Sequence, residues 1–143
     1  MKHTLFTISL IVFALPSWGE TMGDLVKRDG LFYKKFTDTT FTGEISGKIQ
    51  GFIKNGKRDG VWVRHHDNGR LHWKYFYNNG KKEGKWVKYF DNGQIDNIQN
   101  FKNGKMEGPH VSYFENGELS FKSNYKNGKE EGPYINFYNN GYL

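Results

Sequence analysis

The sequence predicts an all-β fold, an elongated single-layer array of antiparallel β-hairpins. Asn-Gly pairs recur every 24 residues in two interleaved sets, and Asn-Gly readily adopts the positive φ angles of a type I′ hairpin turn. Alternating apolar residues flank the pairs, which indicates short strands between them. A fixed period of this size is typical of a repeat protein in which each small unit stacks on the next. The predicted turns are Asn55-Gly56, Asn68-Gly69, Asn79-Gly80, Asn92-Gly93, Asn103-Gly104, Asn116-Gly117, Asn127-Gly128 and Asn140-Gly141.

Residues 1–19 differ from the rest of the chain and predict a signal peptide. A positively charged start precedes an apolar run, residues 5–15, which ends at Pro16. The run has the length of a signal-peptide core and is shorter than the ~20 residues of a membrane-spanning helix. We expect cleavage before Glu20, with an uncleaved anchor as the alternative. The processed chain is then periplasmic or extracellular and has no transmembrane segment.

The remaining chain divides into two parts. Residues 20–53 are expected to form an N-terminal cap with a degenerate repeat, which includes a strand at residues 31–36. Residues 54–143 are expected to form the 24-residue hairpin repeats, the last of them incomplete. The final strand, at about residues 133–138, is then either an open edge to which a partner adds a strand or the end of a truncated chain.

The predicted pairing gives the sheet two different faces. A two-residue loop at Asn68-Gly69 places His65 opposite His72, and the Asn-Gly pairs of the Asn79 set then form the looser connections between hairpins. One face carries a ring near each turn, so it is the expected stacking surface. The candidate contact residues are Trp62, Trp73, Trp86 and Phe121 on this face, with Tyr134, Phe137 and Tyr138 on the final strand.

The composition argues against several kinds of chemistry. The chain has no cysteine, so disulfides and thiol chemistry are excluded. His65 and His72 supply two imidazoles, but zinc needs three or four ligands, and other repeats place different residues there. No nucleophile with a neighbouring base is visible, so we expect a protein without enzymatic activity, cofactor or metal. The 21 Lys and Arg residues against 15 Asp and Glu are spread around the turns, which favours a charged soluble surface over a site for an anionic surface.

The motif aromatic-Lys-Asn-Gly-Lys-x-x-Gly-x-aromatic, followed by Tyr/Phe-x-Asn-Gly-x-Leu, resembles the variant of the MORN repeat across residues 24–143. Residues 24–38 and 41–44 resemble the N-terminal segment of exported bacterial YwqK-type proteins, which are labelled as antitoxins. The ordinary MORN unit has a Gly two residues before the aromatic residue that leads its turn, and this chain has other residues at that position. The resemblance implies a hairpin array and, for function, an antitoxin-like inhibitor or binding to phospholipid. The departing positions are Tyr75, Gln99 and Ser123.

Three functions remain open from the sequence. The first is an exported, non-enzymatic scaffold that binds a protein partner through its sheet face or its open C-terminal edge. The second is a module that binds a cell-envelope glycan or an anionic lipid surface, and the third is the antitoxin-like inhibitor. A nucleic-acid ligand is not expected for an exported chain.

Overall fold

The computed structural model describes residues 19–138. The predicted signal peptide, apart from Gly19, and the predicted Asn140-Gly141 turn lie outside the described residues. A short 3-10 turn, Met22–Asp24, precedes the first strand. The strands are β1 Leu25–Arg28, β2 Leu31–Lys34, β3 Gly43–Ile45, β4 Ile49–Lys54, β5 Lys57–His65, β6 Leu71–Asn78, β7 Lys81–Tyr89, β8 Ile95–Lys102, β9 Lys105–Met106, β10 Gly108–Tyr113, β11 Leu119–Lys126, β12 Lys129–Glu130 and β13 Ile135–Asn136.

Eleven of these strands form one antiparallel sheet in the order of the chain. The path runs β3-β4-β5-β6-β7-β8-β10-β11-β12, with β9 paired to β8 and β13 paired to β11. Consecutive strands pair because each is joined to the next by a short turn. The prediction of an all-β array of antiparallel hairpins is confirmed.

The tightest turns belong to the Asn79 set. Asn79 has φ 47° and Gly80 has φ 82°, and the flanking residues Asn78 and Lys81 are paired. This is a two-residue type I′ loop, whose twist matches that of the strands that it joins. The expectation that this set forms the looser connections is therefore wrong. The same loop recurs at Asn55-Gly56, Asn103-Gly104 and Asn127-Gly128.

The turns of the Asn68 set are longer. The Gly69 amide donates to the His66 carbonyl at 3.0 Å, and the His66 amide donates to the Arg70 carbonyl at 2.8 Å. Three residues therefore form the loop, a type I turn followed by a glycine with φ 81°. The Asn68 side-chain oxygen accepts the Arg70 amide at 2.9 Å, which stabilises this longer form.

The prediction of a two-residue loop is thus wrong at Asn68-Gly69, and at Asn92-Gly93 and Asn116-Gly117, which close in the same way. His65 pairs with Leu71 and not with His72. A bulge between Arg64 and His65 absorbs the extra loop residue.

Each tight turn is bound by the unit before it. The Asn79 amide donates to the Asp59 carboxylate at 2.9 Å, and the Gly80 amide donates to the Arg58 carbonyl at 2.8 Å. Such hydrogen bonds fix the spacing between successive turns. An acid stands four residues after the Asn of each of these turns, but the sequence analysis did not predict this role. The equivalent contacts are Glu83 with Asn103 and Glu107 with Asn127, both at 2.8 Å.

One side of the sheet holds the core. Trp62 and Ile53 have no exposed surface, and the Trp62 indole lies directly on Gly51. In the next unit Tyr75 takes the place of Gly51, and Trp86 stacks on its ring at 4.7 Å between centroids. We call this side the aromatic face, defined by Trp62, Trp73, Tyr75, Tyr77, Trp86, Phe101, His110 and Phe121.

The β1–β2 hairpin packs on the aromatic face of the first unit. Its Leu25 joins the buried cluster that contains Ile45, Ile53 and Trp62. The Thr42 hydroxyl accepts a hydrogen bond from the Asn55 amide at 2.8 Å. The Asp59 carboxylate accepts the equivalent bond from Asn79 in the next tight turn. The N-terminal segment therefore supplies the first tight turn with the contact that a preceding repeat would make.

Replacing Gly80 with Val tests the type I′ turns. A β-branched residue resists φ 82°, so the free energy of unfolding is expected to fall by about 1–3 kcal/mol. The measurement is urea denaturation followed by circular dichroism. Asn78→Val, an exposed strand position beside the same turn, is the matched control and is expected to have a small effect. Equal losses in the two variants contradict the turn assignment.

Replacing Gly51 with Ala tests the contact between Trp62 and the backbone. A Cβ atom at residue 51 overlaps the indole, so an overpacking cost of about 1–3 kcal/mol is expected. Trp62→Leu is also destabilising, because it leaves a cavity in the core. The double variant is expected to lose less stability than the sum of the two single variants, as measured in a double-mutant cycle. Additive losses contradict the contact.

Candidate functional site

The structure separates the predicted contact residues into buried and accessible ones. Trp62 is 0% exposed and Trp86 is 8% exposed, so both are core residues and neither indole is free to contact a partner. Trp73 and Phe121 lie on the aromatic face and are half-buried. Trp62 and Trp86 occupy equivalent repeat positions, and Trp73 and Phe121 occupy a different pair of equivalent positions. The 24-residue period therefore separates the two groups but does not show which of them is buried.

The predicted residues of the final strand are mostly accessible. Tyr134 is 60% exposed and Tyr138 is 67% exposed, whereas Phe137 is half-buried. The Phe137 amide donates to the Ser120 carbonyl at 2.9 Å, which ties this segment to the end of β11. Within residues 19–138, β12 and β13 pair with β11 alone, so their outer sides form the edge of the sheet.

The opposite side of the sheet carries a continuous row of cross-strand neighbours. Each residue of the row is the pairing partner of the next, from β5 to β13. Successive residues along a strand point to opposite faces, so this row lies behind the aromatic face. The row is Val63, Lys74, Val87, Ile98, Val111, Lys122 and Ile135.

The side behind the aromatic face is also apolar beside this row. Val61 and Phe76 are paired neighbours, 55% and 40% exposed. With Lys74, Lys85 and other neighbours they line a cavity of about 260 Å³. We call this side the uncovered face, defined by the row together with Val61 and Phe76. Among the described strands, only β1 and β2 lie outside the large sheet, and their Leu25 packs against the aromatic face.

The uncovered face follows from the strand pattern. Each strand has apolar residues on both of its sides. A sheet with one solvated face usually has polar residues on that face. The sequence signal was present in Val63, Val87 and Val111, which recur every 24 residues. The alternation predicts that this side is not purely polar, but the ring near each turn favoured the aromatic face as the contact surface.

Cations concentrate on the aromatic face of the first two units, which contain Trp62 and Trp86. The Arg58 guanidinium lies 4.6 Å from the Trp62 ring centre, and the Lys82 amine lies 4.2 Å from that of Trp86. Burial lowers the pKa of the Lys82 amine, because its charged form loses hydration. The ring faces compensate this loss in part through cation–π attraction.

The histidines near the first long turn form a contact between units. His66 stacks on His72 at 4.0 Å, and its Nδ1 lies 2.6 Å from the Asp91 carboxylate. Its Nε2 lies 2.9 Å from the carbonyl oxygen of Tyr89. Both ring nitrogens therefore face acceptors in the following repeat. No group of three His, Asp or Glu side chains in residues 19–138 is arranged to hold a metal ion.

Comparison with known families identifies the repeat. Residues 82–103 and 106–127 match the family model described as the MORN repeat variant. The similarity covers these two units of the chain. No curated protein and no solved structure matches the chain significantly. MORN repeats are in general non-enzymatic modules that interact with proteins or membrane lipids.

The two matched MORN units extend from β7 to Asn127, whose amide donates a hydrogen bond to the Glu107 carboxylate. They contribute Val87, Ile98 and Val111 to the uncovered face. No helix in the described part of the chain is long and apolar enough to cross a membrane.

His110 lies in the second matched MORN unit, and its burial is expected to make the stability of the fold depend on pH. Burial lowers its pKa below the ordinary value, and the Asn97 amide nitrogen lies 2.7 Å from its Nε2. The unfolded chain therefore binds a proton more readily than the folded chain. Stability from this group is present above the ordinary histidine pKa of about 6.5 and is lost as the pH falls through that value toward the folded pKa.

We expect the melting temperature of His110→Phe to depend less on pH between 7.5 and 5 than that of the unmodified chain, in differential scanning calorimetry. Ser112→Ala is the matched control, because the Asn97 amide also donates to Ser112 at 2.7 Å. That change is expected to shift stability about equally at both pH values. Equal pH dependence in the His110→Phe variant and the unmodified chain contradicts the assignment.

Proposed function

We propose that the protein is an exported, non-enzymatic MORN-type scaffold that binds a protein partner through the uncovered face and the adjoining edge at β13. The observation that carries the proposal is the row of paired residues, five of seven apolar, together with exposed Val61 and Phe76, which no other described strand covers. Exposed apolar surface of this kind marks interaction sites more often than chance, because its hydration is unfavourable.

The charges on the uncovered face favour a partner with acidic groups around an apolar centre. Lys74 and Lys122 stand within the row, and Lys85 lines the cavity beside Val61. Lys side chains extend their charges beyond neighbouring apolar surface, so they come to lie at the rim of a contact. Ile135, 40% exposed, continues the row to the edge strand.

Export is part of the proposal and is supported by the apolar run and cleavage pattern of residues 1–19. The scaffold then acts in the periplasm or outside the cell. Inhibition of a partner, the antitoxin-like role, is one form of protein binding through the same face. A lipid surface is the alternative that the MORN family suggests, and the lysines of the row favour an anionic one.

A photo-reactive amino acid at position 76, in the full chain in its own cell, is expected to crosslink one protein specifically. The purified partner is then expected to bind Val61→Asp at least tenfold more weakly in isothermal titration calorimetry, because a charge must be desolvated in the contact. Val61 is 55% exposed, so the fold is expected to tolerate the change.

Phe36→Asp is the matched control, since Phe36 is fully exposed and lies in the loop after β2, outside the large sheet. It is expected to bind with unchanged affinity. Equal affinity for Val61→Asp contradicts the proposal. Anionic vesicles that bind through Val61, with no protein crosslinked at position 76, contradict the protein partner and favour the lipid alternative.

A further inference from the structure

The aromatic face carries a second feature, a pocket of about 270 Å³ on the first two units. Two arginines and four aromatic residues line it, and it lies on the side of the sheet opposite to the uncovered face. It is therefore independent of the proposed protein-binding surface. The pocket is lined by Arg58, Arg64, Trp73, Tyr75, Tyr77 and Trp86.

The cations at this pocket lack acidic partners. Arg58, Arg64 and Lys82 form no ion pair in the described part of the chain, in contrast to Lys88, which lies 2.6 Å from Asp96. Among the described positions of β4 to β8 on this face, no acid other than Asp96 is present. The charges of Arg58, Arg64 and Lys82 are therefore not neutralised by an ion pair on the described part of this face.

Arg58 also has an unused donor. Its Nη1 lies 3.3 Å from the Tyr77 hydroxyl, while its Nε is buried and has no hydrogen-bond partner. That Nε has no solvent-accessible surface, so an anion in the pocket would contact the guanidinium through its outer nitrogens. Guanidinium groups bind carboxylate and phosphate oxygens in a fixed planar geometry.

The rings are held rigidly before any ligand arrives. Trp86 stacks on Tyr75 at 4.7 Å and meets Tyr77 edge-on at 5.3 Å. Trp73 is the cross-strand partner of Arg64 on one side and of Lys88 on the other. Trp73 and Tyr77 are half-buried, so part of each ring is open to a ligand. A preformed surface loses little freedom on binding.

We infer that this pocket binds an acidic sugar, with its charged group at Arg58 and Arg64 and its ring against Trp73 or Tyr77. A sugar ring presents a flat C–H face that packs on an aromatic ring, and its charged substituent pairs with a guanidinium. The volume lies just below the usual range of about 300–1,000 Å³ for small-molecule sites, so it suits one ring better than a long chain. Lys82 does not line the pocket, but its amine lies 4.2 Å from the centre of the Trp86 ring, which does.

The test uses two probes, trigalacturonate, which carries carboxylates, and glucose 6-phosphate, which carries a phosphate. At least one is expected to bind the full chain in isothermal titration calorimetry, more weakly as salt is raised. Fully methyl-esterified trigalacturonate, which has the same rings without the charge, is expected to bind at least tenfold more weakly. The probe that binds identifies the anionic group that the site prefers.

Arg64→Gln is expected to reduce binding of that probe at least tenfold, and Arg64 is exposed, so the fold is expected to remain intact. Lys74→Gln, an equal loss of charge on the uncovered face, is the matched control and is expected to leave affinity unchanged. Equal binding of the charged and esterified sugars overturns the inference, as does unchanged affinity in Arg64→Gln. Binding of triaspartate or anionic vesicles through Arg64, with neither sugar bound, also overturns it.

Discussion

The structure depends on the hydrogen bonds that each tight turn receives from the unit before it. A lone hairpin is only marginally stable in water, so the array must be stabilised by contacts between units. The Asp59 carboxylate and the Arg58 carbonyl bind two successive amides of the Asn79-Gly80 turn. These bonds fix the register of neighbouring strands at one end of the sheet, and a shift by one residue would move every side chain to the other face.

The fixed register gives the sheet two faces with different chemistry. On one, Trp62 and Trp86 close over Gly51 and Tyr75 and form the core. On the other, Val61, Phe76 and Ile135 keep 40–55% of their surface exposed, although Val87 in the middle of the row is buried. The same period thus produces stability on one side and an accessible apolar surface on the other. Trp62 and Trp86 are poor candidates for contact with a protein partner because they belong to the core.

The sequence was sufficient for features that local chemistry decides. The Asn-Gly pairs predicted where the turns lie, and the period predicted the array, but the tight two-residue loop was expected at Asn68-Gly69 and occurs at Asn79-Gly80. Asn68-Gly69 was harder, because its side chain binds the Arg70 amide and favours a third loop residue, which an Asn-Gly pair alone does not reveal. The burial of Trp62 was not predictable either, since it depends on Leu25, which is far away in the chain.

The repeats keep their backbone but change their side chains along the array. The position of Trp62 is occupied by Trp86, then His110, then Tyr134, while the position of Arg58 changes to Lys82 and later to Met106 and Glu130. Ring and cation occur together only in the first two units, so positive charge on the aromatic face is confined to them. Backbone hydrogen bonds conserve the scaffold in every unit, and the side chains above the sheet are free to differ. A repeat array can therefore carry a localised site on one face and an extended contact surface on the other.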